Sequence, residues 1–262
     1  MSEKYLIDDF KIFIKNYEDV ISKLQGKKIL ITGAYGFLNS YLVKLLEPLL
    51  APNNIMLYLQ FRSKEKAKKI LNRTLENQNV YCLDLNLEKP ISIDIKFDYI
   101  LHGASAASTF FFKNKPVEVI APNTIGTWNL LSYAKENPVI NFLMYSSNSI
   151  YGSYPEKQKI LKENDIGVIN PIGERSCYIE SKRIAEQMCI AFNKEYGVNT
   201  NSIRISHTYG PGFDIDNDNR IIPKSIKKIV NGENIEIYKD PNSFIQYTYI
   251  LKLRTLKSAF VP

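Results

Sequence analysis

Residues 28–39 read KILITGAYGFLN, which is an apolar run, a turn with two glycines, and the start of a helical pattern. The apolar run at 29–31 has no polar alternation, which is typical of a parallel strand buried on both faces. Gly33 and Gly36 lack a Cβ, so the backbone there can bend sharply and approach a pyrophosphate at the start of the next helix. A plain strand-turn-helix explains the same spacing nearly as well. Other stretches must therefore decide whether a dinucleotide binds here.

Apolar runs and helical patterns alternate along the chain after this stretch. Runs rich in apolar and β-branched residues predict strands at 55–61, 80–85, 99–105 and 142–145, with helices between them. Pro48 predicts that the first of these helices ends near Glu47, because a residue before proline disfavours helical backbone. The alternation predicts an α/β fold with a Rossmann-type, doubly wound parallel sheet, whose ligands bind at the carboxyl ends of the strands.

The pattern divides the chain into three parts. Apolar residues recur every three or four positions before Gly26, which predicts an amphipathic helix within residues 1–26. Residues 27–210 carry the alternating pattern and form the predicted Rossmann domain. Residues 211–262 follow as a separate C-terminal region.

Composition limits the classes of function. With 262 residues, 45% of them hydrophobic, the chain can bury a full core, and a net charge of +7 permits an anionic partner. Lys and Arg are scattered, so we expect no nucleic acid and favour an anionic small substrate or ordinary surface lysine. Three cysteines without metal-ligand spacing predict a reducing cytoplasm and no metal site. Since no apolar run approaches the roughly 20 residues of a membrane span, we expect a soluble, cytoplasmic protein without a membrane partner.

The end of the second predicted strand bears on the choice of dinucleotide. Dinucleotide sites usually place an acid there for the adenosine ribose hydroxyls, but this chain has Gln60-Phe61-Arg62-Ser63-Lys64. Arg62 and Lys64 can instead meet a 2′-phosphate, although basic residues that open the next helix explain them equally well. The stretch therefore leaves NAD and NADP both open.

Later strand ends supply further candidates for the cofactor site. Asp84 can accept a hydrogen bond from an adenine amino group, although a surface turn uses Asp just as readily. The small residues at 103–105 let a cofactor lie close to the backbone. His102 is explained better as a satisfied histidine at a strand end than as a proton carrier.

Tyr178 and Lys182 are candidates for proton transfer. They lie four residues apart in a helical pattern, so their side chains share one helix face. A phenol titrating near pH 10 is a poor base at neutral pH, and an adjacent ammonium favours the phenolate. Ser147, at the carboxyl end of the fifth predicted strand, can hydrogen-bond the same substrate oxygen. By itself, however, a Tyr-x-x-x-Lys spacing more often marks a helix surface.

Several stretches in the expected order jointly resemble the extended short-chain dehydrogenase/reductase family, the NAD-dependent epimerase/dehydratase group that acts on nucleotide sugars. The matching stretches are 32–38, 102–105, 123–127, 146–152, 178–182 and 204–212. The resemblance covers about residues 27–250. It implies that Ser147, Tyr178 and Lys182 are catalytic. Tyr178 would take the proton of a sugar hydroxyl while hydride passes to the nicotinamide, and Lys182 would also bind the nicotinamide ribose.

The residue patterns and the resemblance together define the expected contacts. Cofactor-binding residues are Gly33, Tyr35, Gly36, Phe37, Leu38, Arg62, Asp84, Leu85, His102, Ala104, Ser105, Asn123, Tyr178, Lys182 and His207. Substrate-binding residues are Ser149 and Arg220. We expect NAD as the cofactor, with NADP as the alternative, and a nucleotide-sugar substrate. The resemblance further implies a homodimer formed through the helices that hold Asn123 and Tyr178.

Three features depart from the family's pattern. Asn39 replaces the last glycine of the turn and is expected to crowd the helix against the sheet without blocking a phosphate. His207 stands where the family usually has a substrate-contacting Asn. Residues 245–252 lack the Arg and Asp of the family's C-terminal motif, so we expect 211–262 to be an incomplete substrate-binding part. A truncated or out-of-frame end and a short, divergent C-terminus both explain it.

The residues within these motifs rank the possible reactions. Residues 175–183 look most like enzymes of capsule or lipopolysaccharide sugars, including relatives of UDP-glucuronate decarboxylase. The family's dehydratases carry an Asp-Glu pair directly after the catalytic Ser/Thr, where this chain has Asn148 and Ser149. We therefore expect oxidation at C4, with 4-epimerisation first, UDP-glucuronate decarboxylation second and 4,6-dehydration third. The alternative is a non-catalytic, dinucleotide-binding remnant.

Overall fold

A six-stranded parallel sheet forms the centre of the protein in the computed structural model, which describes residues 3–153, 160–216, 218, 220–236, 246–252 and 259–260. Its strands are β1 (Lys28–Thr32), β2 (Met56–Gln60), β3 (Val80–Leu83), β4 (Tyr99–His102), β5 (Asn141–Ser147) and β6 (Thr200–Ile205). Their order is β3-β2-β1-β4-β5-β6, and every neighbouring pair is parallel. This is the Rossmann order, so the predicted doubly wound sheet is confirmed.

Helices cover both faces of the sheet. They are α1 (Glu3–Lys23), α2 (Phe37–Leu50), α3 (Lys64–Leu71), α4 (Thr109–Asn114), α5 (Pro116–Glu136), α6 (Ser176–Tyr196) and α7 (Ile221–Val230). One apolar core joins α1, α2 and α3 to the sheet, and a second joins α5 and α6 to the opposite face. Adjacent residues of a strand enter different cores, as Leu101 and Ile100 do, which explains the unbroken apolar runs in the sequence.

The predicted end of α2 near Glu47 is wrong by three residues. The helix continues to Leu50 with Pro48 inside it. Leu49 and Leu50 are both buried in the core beneath α1. Burying two leucines stabilises the fold by several kcal/mol, which outweighs the cost of a proline in the last turn.

The carboxyl ends of β1 and β4 frame a crevice. The chain leaves β3 at one edge of the sheet and returns in β4 on the other side of β1. In open α/β sheets, ligands bind outside the strand ends at this reversal of strand order. The loops after β1 and β4 are therefore the first place to look for a dinucleotide.

The C-terminal residues that the structure describes pack against the Rossmann core. Strands β7 (His207–Tyr209) and β8 (Tyr247–Tyr249) form a parallel pair. Beyond them, Ile250 and Leu251 are buried in the core of α1 and α2. Phe260 is fully buried and meets the Tyr99 ring edge-on at 5.1 Å. Phe260 therefore lies beside the first residue of β4, at the amino-terminal end of that strand.

Within the described ranges, no helix has both the length and the apolar character needed to cross a membrane.

Asp9 ties α1 to α2 and β8. Its carboxylate is only 6% exposed, and Oδ2 accepts hydrogen bonds from the Tyr41 hydroxyl at 2.6 Å and the Tyr249 hydroxyl at 2.7 Å. Burial and the neighbouring Asp9 raise the pKa of both phenols, so they remain neutral donors. Three segments far apart in sequence thus share one buried acceptor.

We expect Asp9→Ala to lower the free energy of unfolding by about 3 kcal/mol, because it leaves the buried Tyr41 hydroxyl and the half-buried Tyr249 hydroxyl without their shared acceptor. Urea denaturation followed by circular dichroism measures the loss. Asp8→Ala is the matched control, since the neighbouring Asp8 is exposed and only approaches Lys11 at 3.9 Å. Equal stability of the Asp9 and Asp8 variants would contradict the role given to this carboxylate.

Candidate active site

Gly33 brings the loops after β1 and β4 into contact. Its backbone has a φ of +66°, and an added Cβ would lie 2.8 Å from Ala104 Cα and 2.9 Å from Ala104 N. Only glycine fits this position. Gly36 follows as the N-cap of α2 with an ordinary φ of −61°, and no side chain caps the helix. The amides of the first turn, at Phe37 and Leu38, are therefore left to meet an anion at the crevice.

The crowding expected from Asn39 does not occur. Asn39 is buried, and its Nδ2 donates to the Thr32 carbonyl at 2.8 Å, which ties α2 to the end of β1. Space for the amide comes from Gly103, whose added Cβ would lie 2.4 Å from Asn39 Nδ2. A glycine after β4 thus compensates for the glycine missing from the turn.

Gln60 connects two parts of the predicted dinucleotide site and was not among the predicted residues. It is buried at the end of β2, where its Oε1 accepts from Gly33 N at 3.2 Å and its Nε2 donates to the Leu85 carbonyl at 2.9 Å. The glycine turn and the Asp84–Leu85 segment are thereby linked. A lone amide at the end of a buried strand is the only signal of this role in the sequence.

Arg62 lies at the rim, with Nη1 3.8 Å from Glu118 Oε2 and more than half of its side chain exposed. Asp84, which belongs to the segment linked by Gln60, is exposed. Tyr35 contacts Phe61 at 6.2 Å between ring centroids. The exposed ion pair between Arg62 and Glu118 is long and therefore weak, so the Arg62 side chain can turn toward solvent or a ligand.

His102 has no ring nitrogen left for a ligand. Its Nδ1 is 2.8 Å from Thr32 Oγ1 and its Nε2 is 3.2 Å from the Pro122 carbonyl. Burial, with the charge of Lys182 adding to it, lowers the pKa of His102 to about 3, so the imidazole is neutral. The histidine fixes β1 against β4 and α5, and a cofactor would meet only its backbone.

Ser147, Tyr178 and Lys182 come together at the carboxyl end of β5. Ser147 is buried, and its hydroxyl interacts with the Tyr178 side chain and accepts from Ser149 N at 3.1 Å. Lys182 is 3% exposed, and its Nζ donates to the Tyr145 carbonyl at 2.6 Å and lies 5.9 Å from the centre of the Tyr178 ring. The predicted constellation is thus assembled by α6 and β5.

The predicted effect of Lys182 on the phenol does not hold in this arrangement. Burial raises the pKa of Tyr178, and the groups that act in the opposite direction are the Ser147 hydroxyl and the charges of Arg175 and Arg220. Burial also lowers the pKa of Lys182 to about 7, with Glu186 acting against it. The physical reason is that Lys182 directs its ammonium at a backbone carbonyl inside the protein.

Asn123 ties α5 to α6, the helix that carries Tyr178 and Lys182. It is fully buried in α5, and its Nδ2 donates to Ser181 Oγ at 3.0 Å and to the Val119 carbonyl at 2.9 Å. Ser181 in turn donates to the Tyr178 carbonyl at 2.9 Å. The geometry gives Asn123 a connection to Tyr178 through the helix backbone.

Aromatic rings border the site on two sides. Phe112 of α4 lies 5.2 Å from the Tyr178 ring and 5.8 Å from the guanidinium of Arg175. Neither Phe112 nor Arg175 was predicted as a site residue, although the run of three phenylalanines before Pro116 is a visible signal. On the other side, Phe37 stacks on Phe213 at 4.4 Å between centroids.

The predicted substrate residues lie next to these two aromatic groups, Ser149 on the side of Phe112 and Arg220 on the side of Phe213. Ser149 Oγ accepts from Arg175 Nη2 at 3.3 Å. Arg220 lies over the Phe213 ring at 5.2 Å and donates from Nε to both Asp218 oxygens at 2.9 Å. His207 is exposed on β7, with its ring 5.6 Å from that of Tyr247.

The sequence model of the "NAD dependent epimerase/dehydratase family" matches residues 29–252. This chain belongs to that family. Its match spans every element from β1 to the end of β8, including the glycine turn and the Tyr178 helix. The predicted family and the predicted NAD cofactor are therefore confirmed, and the members of this family are enzymes.

Relatives of this family member include UDP-glucuronic acid decarboxylases. It is 32% identical over 243 residues to UDP-glucuronic acid decarboxylase 1 of Xenopus tropicalis, covering 92% of this chain and 55% of the relative. It is 33% identical over 229 residues to UDP-glucuronic acid decarboxylase 3 of Arabidopsis thaliana, covering 85% of this chain and 63% of the relative. The chain thus spans less than two thirds of the length of either relative.

Solved structures share the fold. A UDP-N-acetylglucosamine 4-epimerase from Methanobrevibacter ruminantium M1 superposes with a TM-score of 0.72 at 24% identity, covering 89% of this chain and 71% of the other. A UDP-glucuronic acid 4-epimerase from Bacillus cereus superposes with a TM-score of 0.67 at 24% identity, covering 85% and 69%.

The residues of this family member fit NAD. The close approach of Gly33 to Ala104 leaves bare backbone facing the crevice. Ser105 Oγ, in the loop after β4, is buried and finds no hydrogen-bond partner among the described residues. A buried hydroxyl without a partner is costly unless a ligand satisfies it. Gly33, Ala104 and Ser105, with the first turn of α2, are the residues that would hold the dinucleotide.

Proposed function

We propose that this protein oxidises C4 of a nucleotide-linked sugar with NAD, that 4-epimerisation is its favoured reaction, and that decarboxylation of UDP-glucuronate ranks second. The observation that carries the proposal is the meeting of Ser147, Tyr178 and Lys182 at the carboxyl end of β5, next to the loops that fit NAD. A role in surface-polysaccharide synthesis and a cytoplasmic location belong to the same proposal and rest on the sequence resemblance.

Each member of the constellation has a distinct task. The Tyr178 phenolate oxygen takes the proton of the C4 hydroxyl, and Ser147, which already interacts with the Tyr178 side chain, holds the same substrate oxygen. Arg175 and Arg220 assist because their positive charges favour the phenolate. Lys182 lies on the same face of α6 as Tyr178, and its ammonium is held there by a hydrogen bond to the Tyr145 carbonyl. NAD, when bound, supplies the acceptor for the hydrogen at C4.

The residues after Ser147 support the ranking of products. Asn148 and Ser149 open a short 3₁₀ helix directly after β5, beside the constellation. Neither side chain ionises in a useful range, whereas dehydration needs both a base for the C5 proton and an acid for the departing hydroxyl. Each missing acid/base group typically costs 10² to 10⁴ in rate. Decarboxylation is less demanding, since a 4-keto group alone makes the neighbouring uronic acid labile.

A panel of nucleotide sugars tests the proposal. The protein is incubated with NAD and UDP-glucuronate, UDP-glucose or UDP-N-acetylglucosamine, and products are followed by mass spectrometry and NMR. An epimer of equal mass is the expected product, and loss of CO₂ from UDP-glucuronate would promote the second-ranked reaction. Loss of water would overturn the ranking. No product from any sugar would favour the non-catalytic alternative.

The outer faces of α5 and α6 support a homodimer as part of the proposal. These helices pack side by side, and their outer faces leave large apolar side chains exposed. Trp128 is 53% exposed, Ile184 43% and Ile190 58%. The groove between the helices is lined by Ile120, Thr124, Glu180 and Gln187, among others. A second copy of the same face would cover these side chains, as the family resemblance implies.

We expect Ile184→Glu to convert the dimer to a monomer, because a carboxylate would be buried without a partner in the interface. Light scattering after gel filtration measures the mass. Ile172→Glu is the control, since Ile172 is 91% exposed in a loop outside both helices. A monomeric wild-type protein, or a dimeric Ile184→Glu variant, would contradict this interface.

A further inference from the structure

Arg175 stands between the substrate side of the site and α4. It is the residue directly before α6, three positions ahead of Tyr178. Its Nη2 donates to Ser149 Oγ at 3.3 Å, and its guanidinium lies 5.8 Å from the Phe112 ring. Contact with an aromatic face and a hydroxyl restricts the orientation of a side chain that is otherwise exposed.

The charge of Arg175 is not neutralised by a carboxylate in the part of the chain that the structure describes. The adjacent Glu174 instead approaches Lys113 at 3.5 Å. The other cation that acts on Tyr178, Arg220, pairs closely with Asp218. Arg204, on β6, pairs with Glu186 at 2.9 Å. The guanidinium of Arg175 is therefore able to bind an anion beside Tyr178.

Sugar chemistry indicates which anion can reach it. Tyr178 and Ser147 are the groups proposed to hold the oxygen on C4. In a hexose, C6 is attached to C5, the immediate neighbour of C4, so a substituent at C6 lies within a few bonds of that oxygen. Ser149 N donates to Ser147 Oγ, and Arg175, whose charge acts on Tyr178, donates to Ser149 Oγ. A carboxylate at C6 can take two parallel hydrogen bonds from a guanidinium, which a neutral hydroxymethyl group cannot match.

We propose that Arg175, oriented by Ser149 and Phe112, is a specificity-determining residue that binds the C6 carboxylate of a nucleotide-linked uronic acid. This inference rests on the proposed function, because it assumes that Tyr178 and Ser147 hold the C4 oxygen. It goes further by assigning the discrimination between a uronic acid and a neutral hexose to one side chain.

The test compares kcat/KM for UDP-glucuronate and UDP-glucose in the NAD-loaded protein. Wild type should prefer UDP-glucuronate. Arg175→Gln should lower kcat/KM for UDP-glucuronate about 30-fold more than for UDP-glucose, because both sugars lose the charge beside Tyr178 but only the uronic acid loses one or two charge-assisted hydrogen bonds. Arg175→Lys should fall between, because it keeps the charge and loses the paired geometry. Lys113→Gln is the control for a nearby surface charge and should leave the preference unchanged.

The ratio of kcat/KM for UDP-glucuronate to kcat/KM for UDP-glucose distinguishes the possible outcomes. An equal loss for both sugars in Arg175→Gln would mean that Arg175 acts only on the structure or on Tyr178, and the inference would be wrong while the proposed function stands. A wild-type preference for UDP-glucose would also overturn it. Conversion of no sugar of the panel by wild type would refute the proposed function and the inference with it, whereas conversion of UDP-N-acetylglucosamine alone would refute only the inference.

Discussion

Tyr178→Phe lowers turnover by about 10² or more and leaves the affinity for NAD unchanged, if the phenol is the positioned acid/base of this site. The ring remains, so its contact with Phe112 at 5.2 Å and the packing of α6 are kept. Only the hydroxyl that interacts with Ser147 is lost. Steady-state rates with the best sugar of the panel and NAD titration by fluorescence give the two quantities.

Tyr196→Phe is the matched control for that variant. Tyr196 ends the same helix, is 45% exposed, and lies away from the crevice against Lys135. Its hydroxyl has no place in the proposed chemistry, so turnover should stay near wild type. A Tyr178→Phe protein that keeps a third of wild-type turnover would refute the assignment of the phenol.

Gly36→Val should weaken NAD binding by about 10² or more, the scale of forcing a side chain into an occupied space, without unfolding the protein. The backbone at Gly36 has a φ of −61°, which valine adopts readily, and the nearest atom to an added Cβ is the Gly33 carbonyl at 3.1 Å. The valine methyl groups would add bulk at the N-cap of α2, beside the free amides that we propose bind the pyrophosphate. Isothermal titration calorimetry measures NAD affinity, and thermal melting reports folding.

Gly36→Ala provides the graded control, since it adds only the Cβ and should fall between wild type and Gly36→Val. We expect Gly33→Ala to have a different effect from the Gly36 variants. Its Cβ would lie 2.8 Å from the Ala104 backbone at a positive φ, so stability should fall as well as binding. Unchanged NAD affinity in Gly36→Val would remove the glycine turn from the cofactor site.

Local patterns were sufficient to predict five of the six strands of the sheet, but not β6, whose sequence TNSIRI has no apolar run. The unbroken apolar run at 29–31 lies within β1, and the strand that ends at Ser147 was found from its apolar residues and the polar residues after them. The end of α2 was predicted wrongly because the propensity rule for Pro48 is local, whereas the burial of Leu50 depends on the folded core. α4 is too short, at six residues, to give a periodic signal.

For Tyr178 and Lys182, the shared helix face could be predicted from the sequence, whereas the environment of the two side chains could not. The spacing of Tyr178 and Lys182 gave their common helix face. The direction of the Tyr178 pKa depends on how deeply the phenol is buried and on which cations face it, and both are set by packing. The fit of Asn39 likewise depends on Gly103, a residue 64 positions away that only the fold brings beside it.

Oxidation at C4 by the NAD-loaded protein is measured most directly by absorbance at 340 nm after rapid mixing with UDP-glucuronate. We expect a rise from reduced nicotinamide in wild type, followed by its decay as the epimer forms, and no rise in Tyr178→Phe. UDP-glucuronate deuterated at C4 should slow the rise, because the C–H bond at C4 breaks in this step. A protein that binds NAD and UDP-glucuronate yet gives no rise would contradict the account.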